Sequence, residues 1–171
     1  MIDQNNNTKE VKNNIYPLTP LDFQIILRYV TSPTMALLLC LCFYTGTEIR
    51  HLLEMTYGDI TSMNSGMLKI HLLYGSIPDV PVDEGIAHML QPYTEKKKQN
   101  REFLFVHDDD STWSRAYVDK QIAMISEQSE IPFTAESLRN SYFATIVNNI
   151  VPAGKKKAKN KLLKELIAGA A

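Results

Sequence analysis

The chain lacks most of the features that would assign it to a special class of protein. Its 171 residues include only two cysteines, Cys40 and Cys42, which lie in an apolar run. A disulfide framework is therefore excluded, and a thiol in such a run behaves as a small hydrophobic side chain. The longest apolar stretch, residues 35–44, has ten residues. A bilayer-spanning helix needs about twenty, so this stretch predicts a core helix.

Targeting and cofactor signals are also missing. The first fourteen residues are rich in asparagine and contain no apolar segment typical of a signal peptide. We expect residues 1–14 to form a disordered lead-in and the protein to be cytoplasmic, with no membrane association. No histidine or cysteine spacing typical of a metal site is present, so no metal or small-molecule cofactor is expected.

A strong net charge is lacking too, because the chain has 18 Lys and Arg residues and 19 Asp and Glu residues, which gives a formal charge of −1. The charge is nevertheless segregated along the chain. Residues 153–171 carry six lysines and one acid, which gives +5, while the remainder carries −6. Apolar residues recur in this tail at helical spacing, so residues 153–171 predict a basic amphipathic helix. The apolar residues are Leu162, Leu163, Leu166 and Ile167.

Helix start signals and apolar periodicity predict a mainly α domain over residues 15–152. Residues typical of N-caps precede four predicted helices, at Thr19, Ser32, Ser114 and Thr134. The helix after Ser32 is apolar all round and ends at Thr45-Gly46, and Thr47 is the predicted N-cap of a short helix after it.

Three short strands are predicted between the two helical groups. Residues 67–73 alternate in polarity, Val80 and Val82 alternate across Pro81, and Phe103–Val106 is the third candidate. The predicted fold class is therefore mainly α with a small three-stranded antiparallel β-meander, an α+β fold.

Two segments resemble signatures of the tyrosine recombinase, or phage integrase, catalytic domain. Residues 41–60 resemble its first signature, Thr-Gly-x-Arg-x-x-Glu-Leu followed by Leu-x-Trp-x-Asp-Ile, through Thr45-Gly46 and Asp59-Ile60. Residues 136–145, Glu-Ser-Leu-Arg-Asn-Ser-Tyr-Phe-Ala-Thr, resemble the second, His-x-Leu-Arg-His followed by Ser/Thr-Phe-Ala-Thr. The resemblance covers residues 17 to 150 and implies a catalytic-domain-like fold that acts on DNA.

The resemblance also implies a catalytic site from which this sequence departs. In the family, two arginines and two His or Trp residues bind the scissile phosphate, a lysine assists the leaving group and a tyrosine attacks phosphorus. Arg139 matches the second arginine, whereas Glu48 stands at the first and Glu136 and Asn140 stand at the histidines. The carboxylates of Glu48 and Glu136 would repel a phosphate. Together with Arg139 and Asn140, these positions are interpreted as a vestigial catalytic site.

Further catalytic groups have no match. No lysine lies between Lys69 and Lys96, where Leu73 and Tyr74 stand instead, and no tyrosine follows Tyr142. Arg50 is not expected to replace the first arginine, because helical residues two apart point about 200° away from each other. We therefore expect no intact catalytic site and no strand cleavage by this polypeptide alone.

Several basic residues are candidates for DNA binding, each with a simpler alternative. Arg139 either contacts a phosphate or forms an ion pair with Glu48 or Glu136. Lys96, Lys97 and Lys98 either touch a DNA backbone or belong to a solvated loop. The tail lysines either bind DNA phosphates, with the apolar residues of the same helix packed against protein, or belong to an ordinary surface helix that closes the core of the domain. These lysines are Lys155, Lys156, Lys157, Lys159, Lys161 and Lys164.

Three functional hypotheses follow. The first is a non-catalytic protein that binds double-stranded DNA, as a regulator or accessory factor of a phage, plasmid or integrative element. The second is a subunit that takes part in recombination while another protomer supplies the catalytic groups. The third is a protein-interaction module or integrase gene remnant, which forms homo-oligomers or binds a related recombinase through its C-terminal helix.

Overall fold

The computed structural model describes residues 16–62, 68–72, 79–81, 84–95 and 102–169. Its helices are α1 (Pro20–Leu27), α2 (Pro33–Thr45), α3 (Ile49–Leu52), α4 (Glu84–Glu95), α5 (Arg115–Ser129), α6 (Ala135–Ile150) and α7 (Lys156–Gly169). Its strands are β1 (Ile60–Ser62), β2 (Leu68–His71) and β3 (Asp79–Pro81). The predicted lead-in over residues 1–14 lies outside the described residues, as do Leu73, Tyr74 and Lys96 to Lys98.

Four of the N-caps predicted from the sequence are confirmed. Each hydroxyl accepts a hydrogen bond from the backbone N–H three residues later, which satisfies a donor that the first helical turn leaves without a partner. The caps are Thr19 for α1, Ser32 for α2, Ser114 for α5 and Thr134 for α6.

Helix α2 lies at the centre of the fold, as its all-round apolar sequence predicts. Residues 37–43 of this helix are all buried, and α2 packs against α3, α4 and α6. The Cys42 thiol donates to the carbonyl oxygen of Ala135 on α6 across 3.7 Å. Burial raises the pKa of this thiol to about 12, so it stays protonated at neutral pH and takes part in packing.

The sheet has three antiparallel strands in the order β1-β2-β3, and two of them, β2 and β3, match strands predicted from the sequence. Ile70 of β2 pairs with Ile60 of β1 and Val80 of β3, and its side chain is fully buried against the helices. Strand β1 was not predicted from the sequence. The predicted strand Phe103–Val106 is wrong, since Phe103 and Val106 each form only an isolated bridge, to Thr56 and Thr112.

Helix α7 follows a turn at Gly154 and packs against α6. Its four predicted apolar residues are half-buried. In the described part of the chain, no helix is long and apolar enough to cross a membrane.

Candidate nucleic-acid site

The candidate site begins where α2 ends. Gly46 adopts a left-handed conformation with φ 67°, and its N–H donates to the carbonyl oxygen of Cys42. This conformation favours glycine because a side chain would crowd the backbone. The chain turns here and places Glu48 directly before α3, beside the N-terminal half of α6.

Glu48, and not the predicted Thr47, is the N-cap of α3. Its backbone is extended, with φ −66° and ψ 143°, and its side chain makes no capping hydrogen bond. The carboxylate therefore does not cap the helix. It is 22% exposed and faces two arginines.

Arg139 of α6 is held on several sides. Its Nε donates to the carbonyl oxygen of Gly46 across 3.2 Å, and its Nη2 lies 3.5 Å from Oε1 of Glu48. The guanidinium also lies over the Phe143 ring, 5.4 Å from the centroid. The side chain is only 11% exposed. Of the two alternatives for Arg139, the structure contains the ion pair with Glu48.

Arg50 reaches the same carboxylate, contrary to the prediction that its side chain leaves on the opposite face. Its Nε lies 2.6 Å from Oε2 of Glu48. The prediction was wrong because it treated Glu48 as helical, whereas the helix begins one residue later at Ile49. We call Glu48, Arg50 and Arg139 the Glu48 cluster.

The other two vestigial positions lie on α6 outside the Glu48 cluster. Glu136 is exposed in the first turn of α6, and no ion pair between it and Arg139 is seen among the described residues. Asn140 is buried, and its Oδ1 finds no hydrogen-bond partner within the described ranges. No three His, Cys, Asp or Glu side chains in those ranges form a group that could hold a metal ion.

The tail lysines, Lys155 and the five lysines of α7, form a separate basic surface; together they are called the α7 lysines. Five of the six tail lysines are exposed, and the sixth, Lys159, donates from Nζ to Oδ1 of Asn148 across 3.0 Å. Asn148 lies nine residues after Arg139, which is about 14 Å along α6 and half a turn around it. The α7 lysines and the Glu48 cluster therefore occupy different sides of α6.

Sequence reasoning missed two parts of this site. Arg50 was rejected through the assumed helix boundary, although its charge beside Glu48 was a usable signal. The Gly46 carbonyl, which fixes the Arg139 guanidinium, has no side chain and leaves no signal beyond the glycine that ends α2.

Comparison with known proteins assigns the chain to a family. A sequence model of the phage integrase family matches residues 22–155, more than three quarters of the chain. The chain belongs to the phage integrase family. The matched residues include the Glu48 cluster and end immediately before α7. Among curated proteins, no sequence matches the chain significantly.

Solved structures of recombinases share the fold of this phage integrase family chain. XerH recombinase bound to its palindromic difH substrate has a TM-score of 0.62 at 16% identity, over 91% of this chain and 48% of that one. XerA recombinase has a TM-score of 0.62 at 14% identity, over 90% and 62%. The Tn1549 transposon integrase, in complex with circular intermediate DNA, has a TM-score of 0.63 at 13% identity, over 95% and 62%.

These likenesses confirm the predicted tyrosine recombinase-like, mainly α fold with a small sheet. At such identities they show the fold alone. The chain spans between about half and just under two thirds of the length of these relatives.

Proposed function

We propose that this phage integrase family chain is a cytoplasmic protein that binds double-stranded DNA without cleaving it. It would serve as a regulator or accessory factor of a phage, plasmid or integrative element. The observation that carries the proposal is the Glu48 carboxylate, 2.6 Å from Nε of Arg50 and 3.5 Å from Nη2 of Arg139.

The position of Glu48 argues against phosphoryl transfer at this site. Charge that develops on a reacting phosphate needs cationic donors aimed at it, in a site already organised for that purpose. Here the Nε of Arg139 is committed to Gly46, and Nη2 faces Glu48. A phosphate at this place would lie next to the Glu48 carboxylate. The repulsion between two negative charges at contact distance amounts to several kcal/mol in a partly buried site.

The α7 lysines support binding to the DNA backbone. Exposed lysines attract phosphates irrespective of base sequence, and the half-buried apolar side of α7 keeps the helix attached to α6. Two structurally similar recombinases support DNA as the partner: XerH was solved bound to its palindromic difH substrate, and the Tn1549 integrase in complex with circular intermediate DNA.

An electrophoretic mobility-shift series on a duplex of about 20 base pairs tests the proposal. The wild-type chain should bind at about 50 mM salt, with a slope of log K against log salt between about −3 and −5, because six lysines can release at most about six counterions. A suicide substrate should trap no covalent adduct. Failure to shift the duplex at low salt, or an affinity that does not depend on salt, would refute the proposal.

A second candidate function is a recombination subunit whose catalytic groups come from another protomer. The arginine at position 139, which matches the second arginine of the family signature, favours it. Suicide-substrate trapping with an added full-length recombinase separates the two functions. Under this candidate the chain should raise the yield of covalent adduct, whereas under the first it leaves the yield unchanged or lowers it by competing for DNA.

A further inference from the structure

Arg50 is the accessible cation of the Glu48 cluster. Its side chain is 62% exposed, against 11% for Arg139. Within the described ranges, its one ion pair is the contact between Nε and Oε2 of Glu48. A guanidinium has five N–H donors in a fixed fork, so the two terminal nitrogens keep donors for a ligand.

The Glu48 cluster is not anionic, although Glu48 stands where the sequence comparison expects an arginine. Two guanidinium groups share one carboxylate, which leaves a net charge of +1. Arg139 is only 11% exposed and contacts both Gly46 and Glu48, so the surplus positive charge faces solvent at Arg50.

We propose that Arg50 binds a phosphate of the DNA backbone, which rests on the proposed DNA-binding function. Oε2 of Glu48 lies 2.6 Å from Nε of Arg50, and Oε1 of Glu48 lies 3.5 Å from Nη2 of Arg139, which in turn donates to Gly46. With the carboxylate beside Nε, the two terminal nitrogens of Arg50 remain available in the planar geometry that matches two phosphate oxygens. Arg50 also loses less side-chain entropy on binding than a free surface arginine.

Arg50→Gln, with Arg115→Gln as a matched control, tests the assignment. Arg115 is also about half exposed and pairs through Nε with a carboxylate, that of Asp119 at 2.9 Å, but it lies on α5 and outside the Glu48 cluster. Arg50→Gln should weaken binding to the 20-base-pair duplex about fivefold at about 50 mM salt and reduce the salt slope by about one. Arg115→Gln should leave both values unchanged within twofold.

Arg50→Lys adds a readout of geometry. It keeps the charge but loses the fork, so it should restore the salt slope and recover only part of the affinity. Unchanged binding by Arg50→Gln, or an equal loss in Arg115→Gln, overturns the assignment while the wild-type chain still binds DNA. A wild-type chain that does not bind overturns the proposed function itself. Thermal unfolding of each variant verifies the fold.

Discussion

Replacing the six tail lysines by glutamine should lower the affinity for duplex DNA at least about a thousandfold at about 50 mM salt. The salt slope should fall from between −3 and −5 to about −1, because only a contact such as that of Arg50 would remain. Glutamine has nearly the helix propensity of lysine, so α7 should persist. The lysines are Lys155, Lys156, Lys157, Lys159, Lys161 and Lys164. Mobility shifts over a salt series measure both values, and circular dichroism measures the helix content.

Two triple variants with equal charge change provide the matched comparison. One replaces Lys155, Lys156 and Lys157, and the other replaces Lys96, Lys97 and Lys98. The first should reduce the slope by about three, whereas the second should change it little, because the proposal assigns the phosphate contacts to the tail lysines. If the variant at residues 96–98 loses more affinity than the tail variant, or if the six-lysine variant binds like wild type, the tail lysines do not form the DNA-binding surface.

Gly46→Ala should destabilise the fold by about 3 kcal/mol. The left-handed φ of 67° costs a non-glycine residue about 1–2 kcal/mol. In addition, a Cβ at this position would overlap Cδ1 of the Tyr142 ring on α6, and overpacking adds about 1–3 kcal/mol. Because Gly46 also accepts the hydrogen bond from Arg139, the Glu48 cluster should shift with it. Urea unfolding measures the change in the free energy of unfolding.

Gly154→Ala separates the two contributions. Gly154 also has a positive φ, 90°, but a Cβ there meets nothing within 4 Å. It should therefore show the backbone cost without the overlap and destabilise less than Gly46→Ala. Equal losses in the two variants would show that α2 and α6 do not approach each other closely at Gly46.

The parts of the fold that depend on local signals were predictable from the sequence. A capping hydroxyl accepts a hydrogen bond from an N–H only three residues away, so Ser114 could be recognised from the local sequence. A glycine that ends a helix adopts the left-handed conformation itself, so Gly46 could be recognised in the same way. The apolar run in α2 likewise predicts burial without knowledge of its neighbours.

The parts that depend on distant contacts could not be predicted. The segment around Phe103 has the composition of a strand, but Leu104 donates to the carbonyl oxygen of Met55 and Trp113 to that of Phe105, in isolated contacts that no short pattern specifies. The Glu48 cluster joins residues about ninety positions apart. Helix α3 begins at Ile49, one residue later than predicted, so Glu48 is not helical. Its carboxylate can therefore contact Arg50, which the predicted helix boundary excluded.

The duplex affinity of Glu48→Gln, compared with that of Glu136→Gln, tests the central claim that the Glu48 carboxylate opposes phosphate binding at the Glu48 cluster. A carboxylate near a bound phosphate opposes binding by up to about 4 kcal/mol at an effective dielectric constant of 20. The substitution also removes the ion pair of Arg50, and ordering this side chain again on binding costs at most about 2 kcal/mol of side-chain entropy. Glu48→Gln should therefore bind about tenfold more tightly, with a salt slope steeper by about one, and Glu136→Gln should bind like wild type. Binding by Glu48→Gln that is unchanged or weaker than wild type, or an equal gain in Glu136→Gln, would contradict the claim.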